Sequence, residues 1–260
     1  MTSRRLKLIS LLAGAGLAAL LLGANAPVAD AAGRSSTCHG GSVAPGTYRS
    51  LVIAGACAVD SGSVTVLRNL TVRPGADLYA AFGGSDLTVH GNLNVLKGAV
   101  LVLGCEPDEF PCFNDPSLST NDVVGKSLTA EGALAVLSHH NAIGRNVVLS
   151  GGGGGVNCDP QPALMGSPAY GTFEDDTIGG KVTITDWRSC WLGVFRETIG
   201  RTVSFNNNVT FDPDGNEVAT NVIGGGLHCS NNSPAPQFGD SGGSANVVHG
   251  RVTGQCVGLT

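Results

Sequence analysis

Several short stretches of this sequence carry residue types that do chemistry. Gly239-Asp240-Ser241-Gly242-Gly243 matches the segment around the nucleophile of chymotrypsin-like proteases. That chemistry needs a His base oriented by an Asp, and the available imidazoles are His39, His90 and the pair His139-His140. Only 19 residues follow Ser241, too few for the pocket walls such a fold builds after its nucleophile, so a turn is the better reading. Paired carboxylates could serve polysaccharide cleavage by general acid–base catalysis. The candidates are Asp108, Glu109 and Asp115, then Glu174, Asp175 and Asp176, then Asp186. Asp212-Pro213-Asp214-Gly215-Asn216-Glu217 sets oxygen ligands at alternate positions, as calcium loops do, but lacks the later bidentate Glu and misplaces the Gly. No Cys/His spacing suggests zinc, and no cofactor is implied. Trp187 and Trp191 flank Cys190 and suit either a sugar platform or a packing cluster around a disulfide.

A further set emerges only when the chain is folded on to itself. Arg68, Lys126, Arg145 and Arg201 share one position of a repeat, and Lys181 and Arg251 share the next. If the repeats stack, these cations fall along one edge of an otherwise acidic protein. Such a row repels itself unless something anionic lies along it; failing that, it serves to keep the edge soluble.

The repeat itself consists of VLRNLTV (66–72), VHGNLNV (89–95), VGKSLTA (124–130), IGRNVVL (143–149), IGGKVTI (178–184), IGRTVSF (199–205), IGGGLHC (223–229) and VHGRVTG (248–254). The first residue is always Val or Ile, and the fifth always Leu or Val. The sixth is polar in all but one copy, which is the alternation of a strand preceded by a turn. Starts lie 23, 35, 19, 35, 21, 24 and 25 residues apart. Three short strands and three turns need roughly 20–25 residues, so each repeat is one coil of a stack. The reading is a single-domain, all-β, right-handed parallel β-helix of about eight rungs over residues 32–260, with residues 38–59 as an N-terminal capping turn. Asn69, Asn92 and Asn146 are placed to form an amide ladder at one turn. The two 35-residue intervals hold insertions, at 104–121 and 151–177, whose loops share one side of the stack. An antiparallel sandwich is the alternative, but the hairpin signals it requires are few.

Residues 1–31 read as a secretory signal peptide: Arg4, Arg5 and Lys7 precede an apolar run, and Ala29-Asp30-Ala31 offers a cleavage pattern. Its removal leaves 12 cations against 19 anions, a net charge of −7, which argues against nucleic acid and anionic membranes as partners. All eight cysteines lie beyond it, and an even number in an exported chain reads as disulfides. Neighbours in the stack suggest Cys38–Cys57, Cys105–Cys112 and Cys229–Cys256, leaving Cys158–Cys190.

CEP…PC (105–112), the glycine run ending at Cys158, TDWRSCWLGVFRETIGR (185–201) and QFGDSGGSANVVHGRVTGQC (237–256) together resemble a group of uncharacterised secreted actinobacterial proteins. The resemblance covers nearly all of the mature chain. It implies a solenoid-like secreted protein, brings no catalytic residues, and assigns GDSGG to a turn between the last rungs. The expected role is binding or structural and non-catalytic, toward an anionic cell-wall or extracellular glycan. An extracellular lyase or hydrolase of polysaccharides is the second reading. Carboxylates converging on a shared cleft would favour the enzyme; a long, open, cation-lined edge would favour binding.

Overall fold

In a computed structural model that describes residues 33–260, the chain coils into three parallel sheets. Sheet 1 runs Ser35–Cys38, Ser50–Ile53, Leu70–Val72, Leu93–Val95, Leu128–Glu131, Val147–Ser150, Val182–Thr185, Val203–Asn206, Leu227–Ser230 and Val252–Gly254. Sheet 2 runs Gly41–Ser42, Ala56–Ala58, Asp77–Ala80, Val100–Leu103, Ala135–His139, Tyr170–Glu174, Trp191–Phe195 and Asn216–Ala219. Sheet 3 runs Gly46–Tyr48, Val64–Val66, Leu87–Val89, Val123–Val124, Ala142–Ile143, Thr177–Ile178, Thr198–Ile199, Val222–Ile223 and Val247–Val248. The coils visit the sheets in the order 1, 2, 3, except that the last passes from Leu227–Ser230 to Val247–Val248 with only the bridge Glu217↔Gln237 at the end of sheet 2. A two-stranded pairing of Arg188–Ser189 with Val209–Thr210 adds to the corner between sheets 1 and 2 in the later coils. Every ladder is parallel, which excludes the sandwich; the antiparallel bridges Glu106↔Phe110 and Pro160↔Pro168 lie inside the insertions.

The repeat straddles a corner. Its first residue closes a strand of sheet 3, its second to fourth make the turn, and its fifth to seventh open a strand of sheet 1. Leu70, Leu93, Leu128, Val147, Val182, Val203, Leu227 and Val252 pair in register as one column, all but the last fully buried. Parallel stacking puts like beside like, so the aliphatic that fits one coil fits the next. Burial of each such side chain contributes about 1.5–3 kcal/mol before the entropy of ordering is counted. The middle coils are filled by Phe173, Trp187 and Phe205, all fully buried; a side chain at Gly171 would press on the Trp187 ring.

The four disulfides join the expected pairs. Cys38–Cys57 and Cys229–Cys256 fasten the first and last coils, and the other two hold the insertions. Two boundaries differ from the sequence reading. Residues 50–66 form a full coil rather than part of a cap, because Leu51, Ile53, Cys57 and Val64 all point inward. The second insertion ends at 169, since Tyr170–Glu174 is a strand of sheet 2. The proposed signal peptide lies outside the described residues. Among the described residues no helix is long and apolar enough to cross a membrane, and four disulfides are the mark of an oxidising compartment.

Candidate functional site

The turn from sheet 3 to sheet 1 brings the six aligned cations to one corner. Backbone bonds run from Arg68 N–H to the Arg49 carbonyl, from Lys126 to Gly91, from Arg145 to Lys126 and from Arg201 to Gly180, all at 2.9–3.1 Å. Val147 and Leu227 likewise donate to the Lys181 and Arg251 carbonyls. Arg68, Lys126, Arg145, Lys181, Arg201 and Arg251 are all exposed. Among the described residues none of the six has a carboxylate within 4.0 Å; the basic side chains that do are His139, His140 and Arg196. Arg145, Lys181 and Arg201 rim an open depression of about 400 Å³ with Gly144, Gly179 and Gly180. The expected amide ladder is present beside them. Asn69, Asn92 and Asn146 accept from the backbone N–H of Asn92, Ser127 and Lys181 in the following coil, at 2.9, 3.2 and 3.0 Å.

Sheet 2 carries the opposite chemistry. Both insertions fold over its outer face, as expected. Phe110 of the first stacks on His139 at 4.0 Å, and the Tyr79 hydroxyl donates to the Ala163 carbonyl of the second at 2.7 Å. Next to them Arg196 gathers three of the acidic groups. It meets Asp175 at 2.8 Å, Glu174 at 2.8 Å and Glu109 at 3.2 Å. Burial opposes the Arg196 charge, yet these carboxylates outweigh it and hold its pKa above the ordinary value. Glu106, absent from the sequence candidates, approaches His140 at 3.5 Å; burial, then the neighbouring Asp175 carboxylate, pushes it up to about 7. Burial drives His139 down to about 3, so its imidazole is neutral. The carboxylates do converge, but on a guanidinium that occupies them, and the first insertion is thereby pinned to the stack.

The remaining candidates disperse. Asp108 is exposed, Asp115 caps its own turn by accepting from Ser117, and Asp186 accepts from Thr185. Gly239 packs directly against the Glu217 side chain, and Gln237 bridges to Glu217 in parallel, so GDSGG is a turn covering the end of sheet 2. Glu217 also accepts from the Trp191 indole at 2.6 Å, and Asn216 donates to the Pro234 carbonyl. Both belong to a strand, which breaks the alternating oxygen pattern of a calcium loop. Trp187 is in the core, and Trp191 is stacked on Phe195; the pair is a packing cluster, not an open platform.

One feature escaped the sequence reading. At the turn from sheet 2 to sheet 3, Asp122, Asn141, Asp176, Glu197, Asn221 and Asn246 form a buried column. From Asp176 onward, a side-chain oxygen of each member accepts from the backbone of the coil before it. Asn141 N–H donates to Asp176, Asp176 N–H to Glu197, Glu197 N–H to Asn221 and Asn221 N–H to Asn246, at 2.7–3.1 Å. The amides of Asn141, Asn221 and Asn246 donate onward to the Leu103, Val194 and Val218 carbonyls of one strand column. The acids occupy equivalent places, where an anion would face carbonyl oxygens and a protonated acid can donate. Burial accordingly raises Asp176 to about 7 and Asp122 and Glu197 well above their ordinary values. The signal was in the sequence: each member stands two residues ahead of a repeat start, just outside the aligned window.

In comparisons with family models, curated proteins and solved structures, nothing matches this chain.

Proposed function

We propose that this is a secreted or cell-surface β-solenoid that binds an anionic polymer, a cell-wall or extracellular glycan, along the corner between sheets 3 and 1, without acting on it chemically. The observation that supports this is the row of six exposed cations without acidic partners among the described residues, on a chain whose net charge is negative. Exposed like charges along one corner gain nothing from the fold itself, and a polyanion would relieve their repulsion. The acidic face is a poorer candidate for glycan hydrolysis, because Arg196 holds Glu109, Glu174 and Asp175. Export, read from residues 1–31 and compatible with four disulfides, would put the corner in contact with such polymers.

The test is binding of the purified chain to immobilised acidic and neutral glycans across a salt series. Retention on acidic glycans is expected, falling as salt screens the charges and falling further in Arg145→Glu/Arg201→Glu. Equal retention on neutral glycans would overturn the reading. Release of shortened glycan products would replace it with the hydrolase or lyase.

A further inference from the structure

The corner has a shape as well as a charge. The second residues of six successive repeats are Gly125, Gly144, Gly179, Gly200, Gly224 and His249, each bonded through its N–H to the coil before. The five glycines are exposed and lie in one column. A Cβ at Gly144, Gly179, Gly200 or Gly224 would sit 2.5–2.6 Å from the carbonyl oxygen of the glycine below, so nothing larger fits without moving the backbone. The result is a strip of bare main chain. It runs about 19 Å at ~4.8 Å per coil, and exposed His90 and His249 stand in the same column at its two ends. One side is the outward column of sheet 3, Val123, Ala142, Thr177, Thr198 and Val222, in register, exposed and uncharged. The other side carries one cation per coil over four consecutive coils, Lys126, Arg145, Lys181 and Arg201.

We infer that this is an end-stopped trough for a linear glycan bearing one anionic group on every sugar, lying parallel to the stack axis. The inference rests on the polyanion-binding reading and adds orientation, spacing and length to it. Successive cations stand about one coil, ~4.8 Å, apart, so a glycan whose rise per sugar matches one coil would bring successive anions to successive cations. The uncharged wall of methyl and hydroxyl groups suits the C–H and hydroxyl face of the sugars. A backbone floor lets the chain lie close, and the imidazoles limit the run to a few units. A polymer with more tightly spaced charges, such as polyphosphate, would be out of step after one or two contacts.

The experiment is calorimetric binding of oligogalacturonates from the dimer to the octamer, beside inorganic polyphosphates of matched charge, at low and moderate salt. Affinity should rise roughly tenfold from dimer to tetramer, through successive engagement of linked groups, and level off by the hexamer. Thr198→Trp, which places bulk on the exposed wall, should weaken hexamer binding roughly tenfold, whereas Thr198→Ser should not; unchanged circular dichroism would show that both variants fold. Affinity that follows charge alone, equal for polyphosphate and indifferent to Thr198→Trp, would overturn the trough while leaving polyanion binding in place. Failure of every polyanion to bind would remove both.

Discussion

The corner between sheets 2 and 3 and the corner between sheets 3 and 1 turn the same chain over the same coils with opposite materials. At the first, His140, Asp175, Arg196 and Thr220 take left-handed φ values of 51–61°, and the next residue is thrown inward as a rung of the polar column. At the second, glycines let adjoining coils approach closely, and beside the Asn69, Asn92 and Asn146 amides stand cations in water. A buried corner has to pair its backbone groups within the protein, and here side chains of the column take up the N–H of the neighbouring coil. An exposed corner can leave that task to solvent, and its side chains are then available for another partner.

The sharpest way to break this contrast is at Asn221. Its amide accepts from Glu197 N–H and donates to the Val194 carbonyl, both buried. Asn221→Ala leaves both unpaired and should cost about 3 kcal/mol, read from the midpoint of denaturant unfolding. A loss below about 1 kcal/mol would mean that the column does not hold the corner. On the open side the expected sensitivity is to shape. Gly179→Ala drives a methyl against the Gly144 carbonyl and should cost about 2 kcal/mol, measured in the same way. A neutral result would show that the floor has room.

The smallest expected effect is one of pH. Asp176 is raised to about 7, so its share of stability is fully present below about pH 4 and is lost as the pH climbs through 7. Asp176→Asn keeps the shape and removes the titration. Thermal melts should therefore show the variant gaining on the parent by a few degrees near neutral and alkaline pH, and the gap closing toward about pH 4. A gap that does not change with pH would mean that Asp176 is ionised in the fold.

Much of the architecture was legible because stacking forces repetition. The fifth-position aliphatics must agree with one another when they touch, and that agreement survives insertions of different length. The cation row was legible for the same reason, through its place relative to those aliphatics. The buried column was not, because it tolerates Asp, Asn and Glu alike and is replaced by Leu87 and Val64 in the early coils. The Arg196 cluster was illegible for a different cause. It joins Glu109 to residues 65 or more positions away through an insertion whose path no repeat dictates. The strand Tyr170–Glu174 was hidden by its Gly171, which read as part of a loop and instead makes room for Trp187.

Cys38–Cys57 and Cys229–Cys256 have a mechanical consequence. A stack of coils in which each touches only its neighbours comes apart most easily by fraying from its free ends, one coil at a time. Here both end coils are covalently clasped to the chain beside them. Unwinding under tension must either break a sulfur–sulfur bond or open the stack from within, where no end is available to peel.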